Sequence, residues 1–299
     1  MIPWSSHRIL RREIEIGGYL VTESPLKIGA GREPPLGSTV DLAVIRIRLK
    51  GNDVPYIPGS SIKGVFRSVA TSLALEKGLK VCSGLSRQTC MDLEVNGRTL
   101  LESIQESLKR GENDKAIKEF HEKSCLLCKL FGAPSFTGHV NFSDAYPISE
   151  EGEILGVPVH IKTGIARDRR TGAVYRGALY QVEFVEPGAR FRFFIRATNL
   201  PNYSIGLLAK ILRMINEGWV RLGGFKTRGF GKVKVENLSL KVRGEIDGYN
   251  LKAIDEFDEQ VNLKNIADYS NGWLSALGGS AWNALKLFEE VWDRANLKK

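Results

Sequence analysis

The sequence has no long hydrophobic run. Of its 299 residues, 42% are hydrophobic and 26% are charged, and no apolar stretch approaches the roughly 20 residues that a membrane-spanning helix needs. The first eight residues, Met-Ile-Pro-Trp-Ser-Ser-His-Arg, also lack the apolar core of a secretory signal peptide. We therefore expect a globular, cytoplasmic protein with no membrane partner.

Cysteine and histidine are scarce, with four residues of each. The cysteines form two pairs, Cys82 with Cys90 and Cys125 with Cys128, and such clustering in a cytoplasmic chain favours a metal over disulfides. The second pair has the Cys-x2-Cys spacing of zinc ligands, whereas the first pair is loosely spaced. Four sulfurs, or three sulfurs and His121, would complete a structural zinc site, with buried or free thiols as the alternative. Neither pair lies beside a recognisable base, so no catalytic cysteine is expected.

Acidic residues are outnumbered by basic ones. The 43 lysines and arginines exceed the 34 aspartates and glutamates, which gives a net charge of +9 and an isoelectric point near 9.3. An excess of positive charge favours a polyanionic partner. Because the overall balance is weak evidence, the places where basic residues cluster carry more of the argument.

Hydrophobic periodicity predicts an α+β fold. Helical spacing begins near residue 59 and again at Asn202 or Ser204, either of which would cap the second helix. Alternation typical of strands occurs at residues 8–24, 44–49, 139–142, 190–195 and 232–240, with a turn at Asn52-Asp53. The resulting order is the ferredoxin-like split β-α-β pattern, which RNA-recognition modules also use. We predict this domain over residues 1–243, followed by a helical C-terminal tail at 244–299.

Two insertions interrupt the predicted domain. Residues 80–128 are polar, contain helical segments at about 99–109 and 114–123, and indicate an inserted subdomain that carries the cysteines. Residues 155–180 are glycine-rich and basic, and they predict a β-hairpin that stands away from the core. A separate strand is predicted after the hairpin, at residues 179–186.

The first basic segment is the start of the predicted helix, Pro-Gly-Ser-Ser-Ile-Lys-Gly-Val-Phe-Arg at residues 58–67. The hydroxyls of Ser60 and Ser61 stand where N-cap groups are preferred, and Lys63 and Arg67 share a helical face. Free N–H groups, the helix dipole and two cations would together bind a phosphate. An ordinary capped helix with solvated basic residues is the alternative.

The second basic segment, residues 221–234, has five basic residues and no acid. Its glycines are Gly223, Gly224, Gly229 and Gly231, which would let the backbone approach a phosphate closely. Lys226 and Arg228 would add charge, and Phe225 and Phe230 would stack on bases. The alternative is a glycine-rich turn between a helix and a strand.

The third basic segment is the predicted hairpin. It carries one acid, Asp168, and five cations, Lys162, Arg167, Arg169, Arg170 and Arg176. A long basic hairpin with small apolar residues would wedge into a nucleic-acid strand, as apolar side chains do between stacked bases. A solvated loop is the alternative.

The carboxylate of interest is Asp41, which ends a glycine- and proline-rich loop at residues 24–43. Long loops in compact domains are often functional, and Asp41 would face the residue-59 helix if the following strand and that helix are neighbours. A turn or cap role is the alternative, and Glu33 is an alternative acid. The remaining histidines have no partner that the sequence identifies.

Four segments together resemble the RAMP superfamily of CRISPR systems, and within it the repeated backbone subunit of type III (Csm- or Cmr-type) effector complexes. The matches are Ile28-Gly29-Ala30-Gly31 with Val40-Asp41-Leu42-Ala43-Val44-Ile45-Arg46; Tyr56 to Ser68; Leu130-Phe131-Gly132 with Gly138-His139-Val140-Asn141-Phe142-Ser143-Asp144-Ala145; and Gly223-Gly224 with Gly229-Phe230-Gly231. They span about residues 25–235. The tail beyond residue 244 is not covered, and the complex subtype stays open.

The resemblance implies a role for each segment. Ser60, Ser61, Lys63 and Arg67 would grip the backbone of a guide RNA, together with the loop at residues 223–231. The hairpin would be the thumb that interrupts the guide–target duplex. Asp41 matches the family's target-cleaving aspartate, and zinc in cysteine-rich insertions also occurs in such subunits.

Three functions follow as hypotheses. The first is a guide-binding backbone subunit that cleaves target RNA inside a multisubunit complex, with other RAMP subunits and copies of itself as partners and with Asp41 as base or as ligand of a divalent ion such as Mg²⁺. The second is a non-catalytic RNA-binding subunit. The third is a stand-alone CRISPR RNA-processing ribonuclease, which we expect to show a histidine near its active loops, and none flanks Asp41 or residues 223–231.

Overall fold

The structure is a computed structural model that describes residues 2–29, 40–95 and 97–297, without the side chains of residues 95 and 176–178. Half of the predicted functional loop, including Glu33, and the side chain of Arg176 therefore lie outside the described residues.

Strands and helices alternate along the described chain. The strands are β1 (Glu13–Thr22), β2 (Arg46–Leu49), β3 (Asn52–Pro55), β4 (Glu94–Val95), β5 (Arg98–Thr99), β6 (Val140–Phe142), β7 (Val159–Arg167), β8 (Val174–Val185), β9 (Arg190–Thr198), β10 (Val233–Arg243), β11 (Ile246–Asp247), β12 (Asn250–Leu251), β13 (Val261–Asn262), β14 (Asp268–Ser270) and β15 (Trp273–Leu277). The helices are α1 (Gly59–Glu76), α2 (Leu100–Lys109), α3 (Asn113–Lys123), α4 (Leu126–Phe131), α5 (Asn202–Asn216) and α6 (Gly278–Arg294).

The main sheet is antiparallel, with the strand order β14-β15-β10-β1-β9-β6. Alternation along β9 buries Phe191, Phe193 and Ile195, each 1% exposed, as its sequence pattern predicts. β1 lies between β10 and β9 and buries Ile14 and Ile16. The mixed α+β class is therefore confirmed, with an antiparallel sheet and several helices.

Helices α1 and α5 contact each other and the sheet, and α6 packs along α5. The apolar positions predicted for α5 are buried, including Ile205, Leu208 and Leu212. α5 and α6 approach closely at Gly206, where an added Cβ would lie 2.0 Å from the carbonyl oxygen of Phe288. The helices thus share one apolar core with the sheet.

Residues 80–128, which the sequence analysis predicts to be an insertion, contain the two predicted helices, α2 and α3. Thr99 caps α2 in a capping box with Glu102. Met91, Leu100 and Phe120 form a small apolar cluster of their own.

Strands β7 and β8 form the predicted hairpin, and Ile161, Ile165 and Leu179 on it are exposed.

Several sequence predictions at element ends are wrong. Pro58 is the N-cap of α1 and its own side chain makes no capping hydrogen bond; Ser60 and Ser61 lie inside the first turn. α5 likewise follows Pro201, and neither Asn202 nor Ser204 caps it. Proline has no side-chain acceptor, and a carboxylate distant in sequence instead accepts a first-turn N–H: Asp144 from Gly59 in α1 and Asp258 from Tyr203 in α5.

The first turn after β2 and the end of the hairpin also differ from the prediction. The chain reverses at Lys50 and Gly51, which have φ of 48° and 85°, while Asn52 already begins β3. β8 runs without interruption to Val185, so the separate strand predicted at residues 179–186 is the second arm of the hairpin itself.

Residues 244–299 contain strands as well as the predicted helix. β15 pairs with β10 and extends the main sheet, and β14 adds its edge. Trp292 on α6 is 2% exposed within the core. No helix in the described part of the chain has the length and hydropathy of a membrane span.

Candidate nucleic-acid interface and metal centre

A groove of about 370 Å³ separates the first turns of α1 from the glycine-rich loop. Ser61, Gly64 and Ser68 lie on one face of α1 and form one wall, because residues three and four apart are neighbours on a helix. Gly223, Gly224 and Lys226 form the opposite wall, and Lys27, Ile28, Gly29 and Val65 complete the lining. The walls are formed largely by small side chains and backbone, so an extended strand can approach closely.

The loop needs glycine for two separate reasons. Gly223 has φ of +73°, and an added Cβ would lie 2.2 Å from the carbonyl oxygen of Lys27. Gly231 has φ of +85°, and its Cβ would lie 2.0 Å from the carbonyl oxygen of Leu222. The N–H of Gly224 donates to the same Lys27 oxygen at 2.8 Å. These contacts hold the loop against the segment before residue 30.

The hairpin lies beside the glycine-rich loop. Arg228 donates from Nη1 to the hydroxyl of Tyr180 at 2.7 Å. Phe230 is 5% exposed, packs edge-on against Phe184, and has the Lys162 ammonium 6.0 Å from its ring centroid. The second and third basic segments therefore share one surface. Phe230 belongs to that contact, so its predicted role of stacking on bases is wrong.

The tip of the hairpin is exposed and basic. Asp168 accepts hydrogen bonds from the backbone N–H groups of Arg170, at 2.8 Å, and Thr171, at 3.0 Å. These bonds hold the pKa of the Asp168 carboxyl below its usual value. The only acid of the predicted segment thus shapes the turn, while Arg167 and Arg169 are exposed around it.

Lys63 and Arg67 line a different cavity. It measures about 380 Å³, includes Thr89 and Asn141 in its lining, and has no carboxylate among its lining residues. Arg67 donates from Nη1 to the carbonyl oxygen of Gly132 at 3.1 Å. Burial, and secondly Arg67, lower the pKa of Lys63. The structure therefore divides the predicted phosphate cradle: the two cations face one cavity and Ser61 faces the groove, while Ser60 is exposed on the first turn.

A carboxylate accepts the first N–H of α1. Asp144 accepts the N–H of Gly59 at 2.7 Å, and the hydroxyl of Tyr146 donates to its other oxygen at 2.9 Å. An anion at this end complements the helix dipole, so Asp144 occupies one of the N–H groups that the sequence analysis assigned to a phosphate. The motif around Asp144 is singled out by the sequence analysis, but no local pattern indicates that Asp144 contacts the start of a helix 85 residues earlier in the chain.

Asp41 is exposed at the base of the hairpin. Its Oδ2 atom accepts the backbone N–H of Gln181 at 2.7 Å, and Leu42 bridges to Val182 on β8. The ammonium of Lys27 donates to the carbonyl oxygen of Ala43. Burial lowers the pKa of Lys27 to about 8, which Glu183 partly offsets. Because Lys27 also lines the groove, it connects the segment of Asp41 with that groove.

The four cysteines come together although they lie in two segments that are distant in sequence, residues 82–90 and the start of α4 at residues 125–128. Their Sγ atoms all lie within 4.8 Å of one another; Cys82 is 3.3 Å from Cys128 and 3.8 Å from Cys125. The N–H of Cys125 donates to Cys90 Sγ at 3.2 Å. Tetrahedral ligands at about 2.3 Å from a zinc ion would be about 3.8 Å apart, so this donor set fits zinc.

Thiol ionisation in the cluster is uneven. S–H groups of Cys128 and Cys90 that hydrogen-bond to Cys125 lower its pKa, and the same bonding raises the pKa of Cys128 and, to about 12, that of Cys90. A metal cation bound among the sulfurs would favour the thiolate form of all four cysteines. His121 lies elsewhere: its Nδ1 atom is 2.8 Å from Ser5 Oγ, and its ring stands edge-on to Trp4.

Comparisons with known proteins identify the family of this chain. Residues 19–234 match the family model of the RAMP superfamily. The chain is 27% identical over 266 residues to the CRISPR system Cms endoribonuclease Csm3 of Mycobacterium tuberculosis, covering 81% of this chain and 95% of the relative. It is also 26% identical over 152 residues to the protein of the same name from Methanocaldococcus jannaschii, covering 48% of this chain and 60% of the relative. The family model covers well over half of the sequence, and the chain belongs to the RAMP superfamily.

Proposed function

We propose that this protein is a guide-RNA-binding backbone subunit of a type III CRISPR interference complex, and that it cleaves the target RNA paired to the guide. The observation that carries the proposal is a connected surface: the α1 groove meets the glycine-rich loop, the loop meets the hairpin through Arg228, and Asp41 lies at the hairpin base. The curated relatives carry the name CRISPR system endoribonuclease, which supports the same activity here.

The topology supports the ferredoxin-like assignment. β1, α1, β6, β9, α5 and β10 follow one another along the chain, and the four strands lie in the order β10-β1-β9-β6. This is the split β-α-β arrangement. The cysteine-bearing segment and the hairpin are insertions between these elements. We infer that the sheet and its two helices are the scaffold, and that the insertions carry the contacts peculiar to RNA.

Guide binding would use backbone chemistry rather than base edges. The hydroxyls of Ser61 and Ser68 and the ammonium of Lys226 lie around a groove whose other wall is glycine backbone. Such groups contact phosphates and riboses without reading sequence. Affinity should therefore depend steeply on salt and little on the guide's sequence.

Cleavage would use the nucleophile that RNA itself carries. A hairpin that interrupts the duplex splays the target strand, so that a ribose 2′-oxygen can align with the neighbouring phosphorus. Asp41 would take the 2′-hydroxyl proton while the new P–O bond forms and the P–O5′ bond breaks. The 5′-oxygen takes a proton from water, and the products are a 2′,3′-cyclic phosphate and a 5′-hydroxyl end.

Two metals are part of the proposal, and each has a different fit to the chain. Zinc would be held by Cys82, Cys90, Cys125 and Cys128, whose four sulfurs suit a structural site. Asp41 offers an exposed hard oxygen donor of the kind that Mg²⁺ prefers. A divalent ion bound there would supply charge stabilisation at the phosphate.

The test is Asp41→Ala in the complete complex assembled on its guide. We expect target cleavage to be lost while guide and target binding stay unchanged, because the carboxylate acts on the reacting atoms rather than on the guide. Asp268→Ala, which removes an exposed acid on β14, is the control. Cleavage by the Asp41 variant at the normal rate and spacing would reject the catalytic assignment, and no cleavage by the wild-type complex would favour a purely structural subunit.

A further inference from the structure

The short segment that carries Asp41 has little regular structure to hold it. Leu42 forms a single bridge to Val182 of β8, through Leu42 N–H to the Gln181 carbonyl at 3.1 Å and Glu183 N–H to the Leu42 carbonyl at 3.0 Å. A bridge of one residue lacks the cooperative ladder of a full strand. The Asp41 carboxylate adds one bond of its own, from the Gln181 N–H at 2.7 Å, so further contacts must hold the backbone of residues 42–45.

The side chain of Glu183 supplies contacts of that kind. Its Oε2 atom accepts the N–H of Val44 at 2.8 Å. The same oxygen accepts Arg46 Nη1 at 2.8 Å, and Oε1 accepts Arg46 Nη2 at 2.6 Å. The Glu183 side chain is 13% exposed. A partly buried carboxylate in a bidentate pair with arginine is held in one geometry, and its bonds are stronger than those between neutral groups.

The pairing with Arg46 keeps the Glu183 carboxyl ionised, although burial acts in the opposite direction. The hydrogen bonds from Arg46 lower the pKa of the Glu183 carboxyl below its usual value, so the carboxylate is present throughout the physiological range. On the opposite side of the segment, Ile45 N–H donates to the Ile28 carbonyl at 2.9 Å, and the Lys27 ammonium donates to the Ala43 carbonyl. Residues 42–45 are thus held between the hairpin and the groove.

We propose that Glu183 is a positioning residue for Asp41: by accepting the Val44 N–H it fixes residues 42–44 to β8, so that the cleaving carboxylate keeps a constant position relative to the hairpin. This inference rests on the proposed function. Glu183 itself does not act as the base, because both of its oxygens are committed to Arg46. The hairpin, which bends the target RNA, and the Asp41 carboxylate beside the bent nucleotide would then move as one unit.

The direct experiment is single-turnover target cleavage by the assembled complex with Glu183→Ala. A misplacement of about 1 Å costs roughly 100-fold in rate, so we expect a loss of that order with guide and target affinity unchanged. Glu183→Gln keeps an oxygen for the Val44 N–H, and we expect it to restore cleavage to within about tenfold of wild type. The matched control is Glu186→Ala, which removes a carboxylate that pairs with His160 at the same end of the hairpin, and it should cleave normally.

Amide hydrogen exchange of the free chain gives a readout that does not depend on cleavage. We expect exchange at residues 42–45 to be faster in Glu183→Ala and close to wild type in Glu183→Gln. Normal cleavage by Glu183→Ala beside an inactive Asp41→Ala would overturn this inference and leave the proposed function standing. Failure of Glu183→Gln to restore cleavage, or unchanged exchange in Glu183→Ala, would also overturn it. Normal cleavage by Asp41→Ala would instead remove the proposed function on which the inference rests.

Discussion

His139 is a fully buried titratable residue whose role the sequence does not reveal. Its ring stacks on His7 at 4.0 Å between centroids and packs against Trp4. The Nδ1 atom is 3.1 Å from the Thr198 carbonyl oxygen, and Nε2 has no hydrogen-bond partner among the described residues. Burial lowers the pKa of His139 to about 4. The neutral imidazole is therefore the form that the fold accommodates.

This burial predicts an acid-sensitive stability. An unfolded histidine titrates near 6.5, so the unfolded state binds the proton first as the pH falls. The contribution is fully present above pH 6.5 and is lost as the pH falls to about 4. Between pH 7 and pH 4, we expect the free energy of unfolding of the wild type to decline by on the order of 3 kcal/mol more than that of His139→Gln. Denaturant titrations at both pH values measure it, and parallel declines would contradict the assignment.

Some residue-level features could be predicted from sequence and others could not. The spacing of Lys63 and Arg67 correctly indicated a shared helical face, because the helical period is a local property. What that face meets depends on how α1 is rotated against loops that are distant in sequence. The same limit applies to Asp144, whose contact with Gly59 requires the sheet to form first.

At the scale of elements, the glycine-rich loop is fixed by specific backbone contacts. Gly223 has a left-handed φ and no room for a Cβ, whereas a Cβ at Gly224 would meet its nearest atom at an ordinary 3.8 Å. We expect Gly223→Ala to destabilise the fold by about 2 kcal/mol or more and to weaken RNA binding, because the groove wall shifts. Gly224→Ala is the matched control and should change stability by about 0.5 kcal/mol or less. Thermal unfolding compares the two, and equal effects would show that the loop is not held as described.

The cysteine cluster connects two segments of the chain, and residues of both contact Arg67. An added Cβ at Gly84, near Cys82, would lie 2.6 Å from the Arg67 guanidinium. The carbonyl oxygen of Gly132, four residues after Cys128, accepts a hydrogen bond from Arg67. We expect about one zinc ion per chain by elemental mass spectrometry. Cys128→Ser should lose the metal and lower the Tm by roughly 5 °C. Ser83→Ala, which changes a residue beside Cys82 but outside the cluster, should retain both the metal and the wild-type Tm. A metal-free wild type with the full Tm would contradict a structural metal.

Whole elements were more predictable than their ends. The helices of the insertion, the hairpin and the alternating strand β9 follow from local periodicity. Local periodicity did not predict the start of α1, the length of β8 or the strands after residue 244. These features depend on helix capping, hairpin register and strand pairing at the sheet edge, which involve residues distant in sequence.

At the scale of the whole molecule, three basic segments that lie far apart in sequence do not all reach the same place. The glycine-rich loop and the hairpin meet at Arg228 and Tyr180, and the loop faces Ser61 across the groove. Lys63 and Arg67 line a neighbouring cavity instead. Net charge predicted a polyanionic partner. Which of the basic side chains can contact the same nucleic-acid strand depends on how the helices and loops pack on the sheet.

A cryo-electron microscopy reconstruction of the complex bound to guide and target RNA tests the central claim most directly. We expect the guide backbone to lie in the α1 groove, with phosphates in hydrogen-bonding distance of Ser61, the backbone of Gly223 and Gly224, and Lys226. The target strand should bend at the hairpin, with the Asp41 carboxylate beside the displaced nucleotide. A groove filled by protein with the guide elsewhere, or an Asp41 side chain turned away from both strands, would contradict the account.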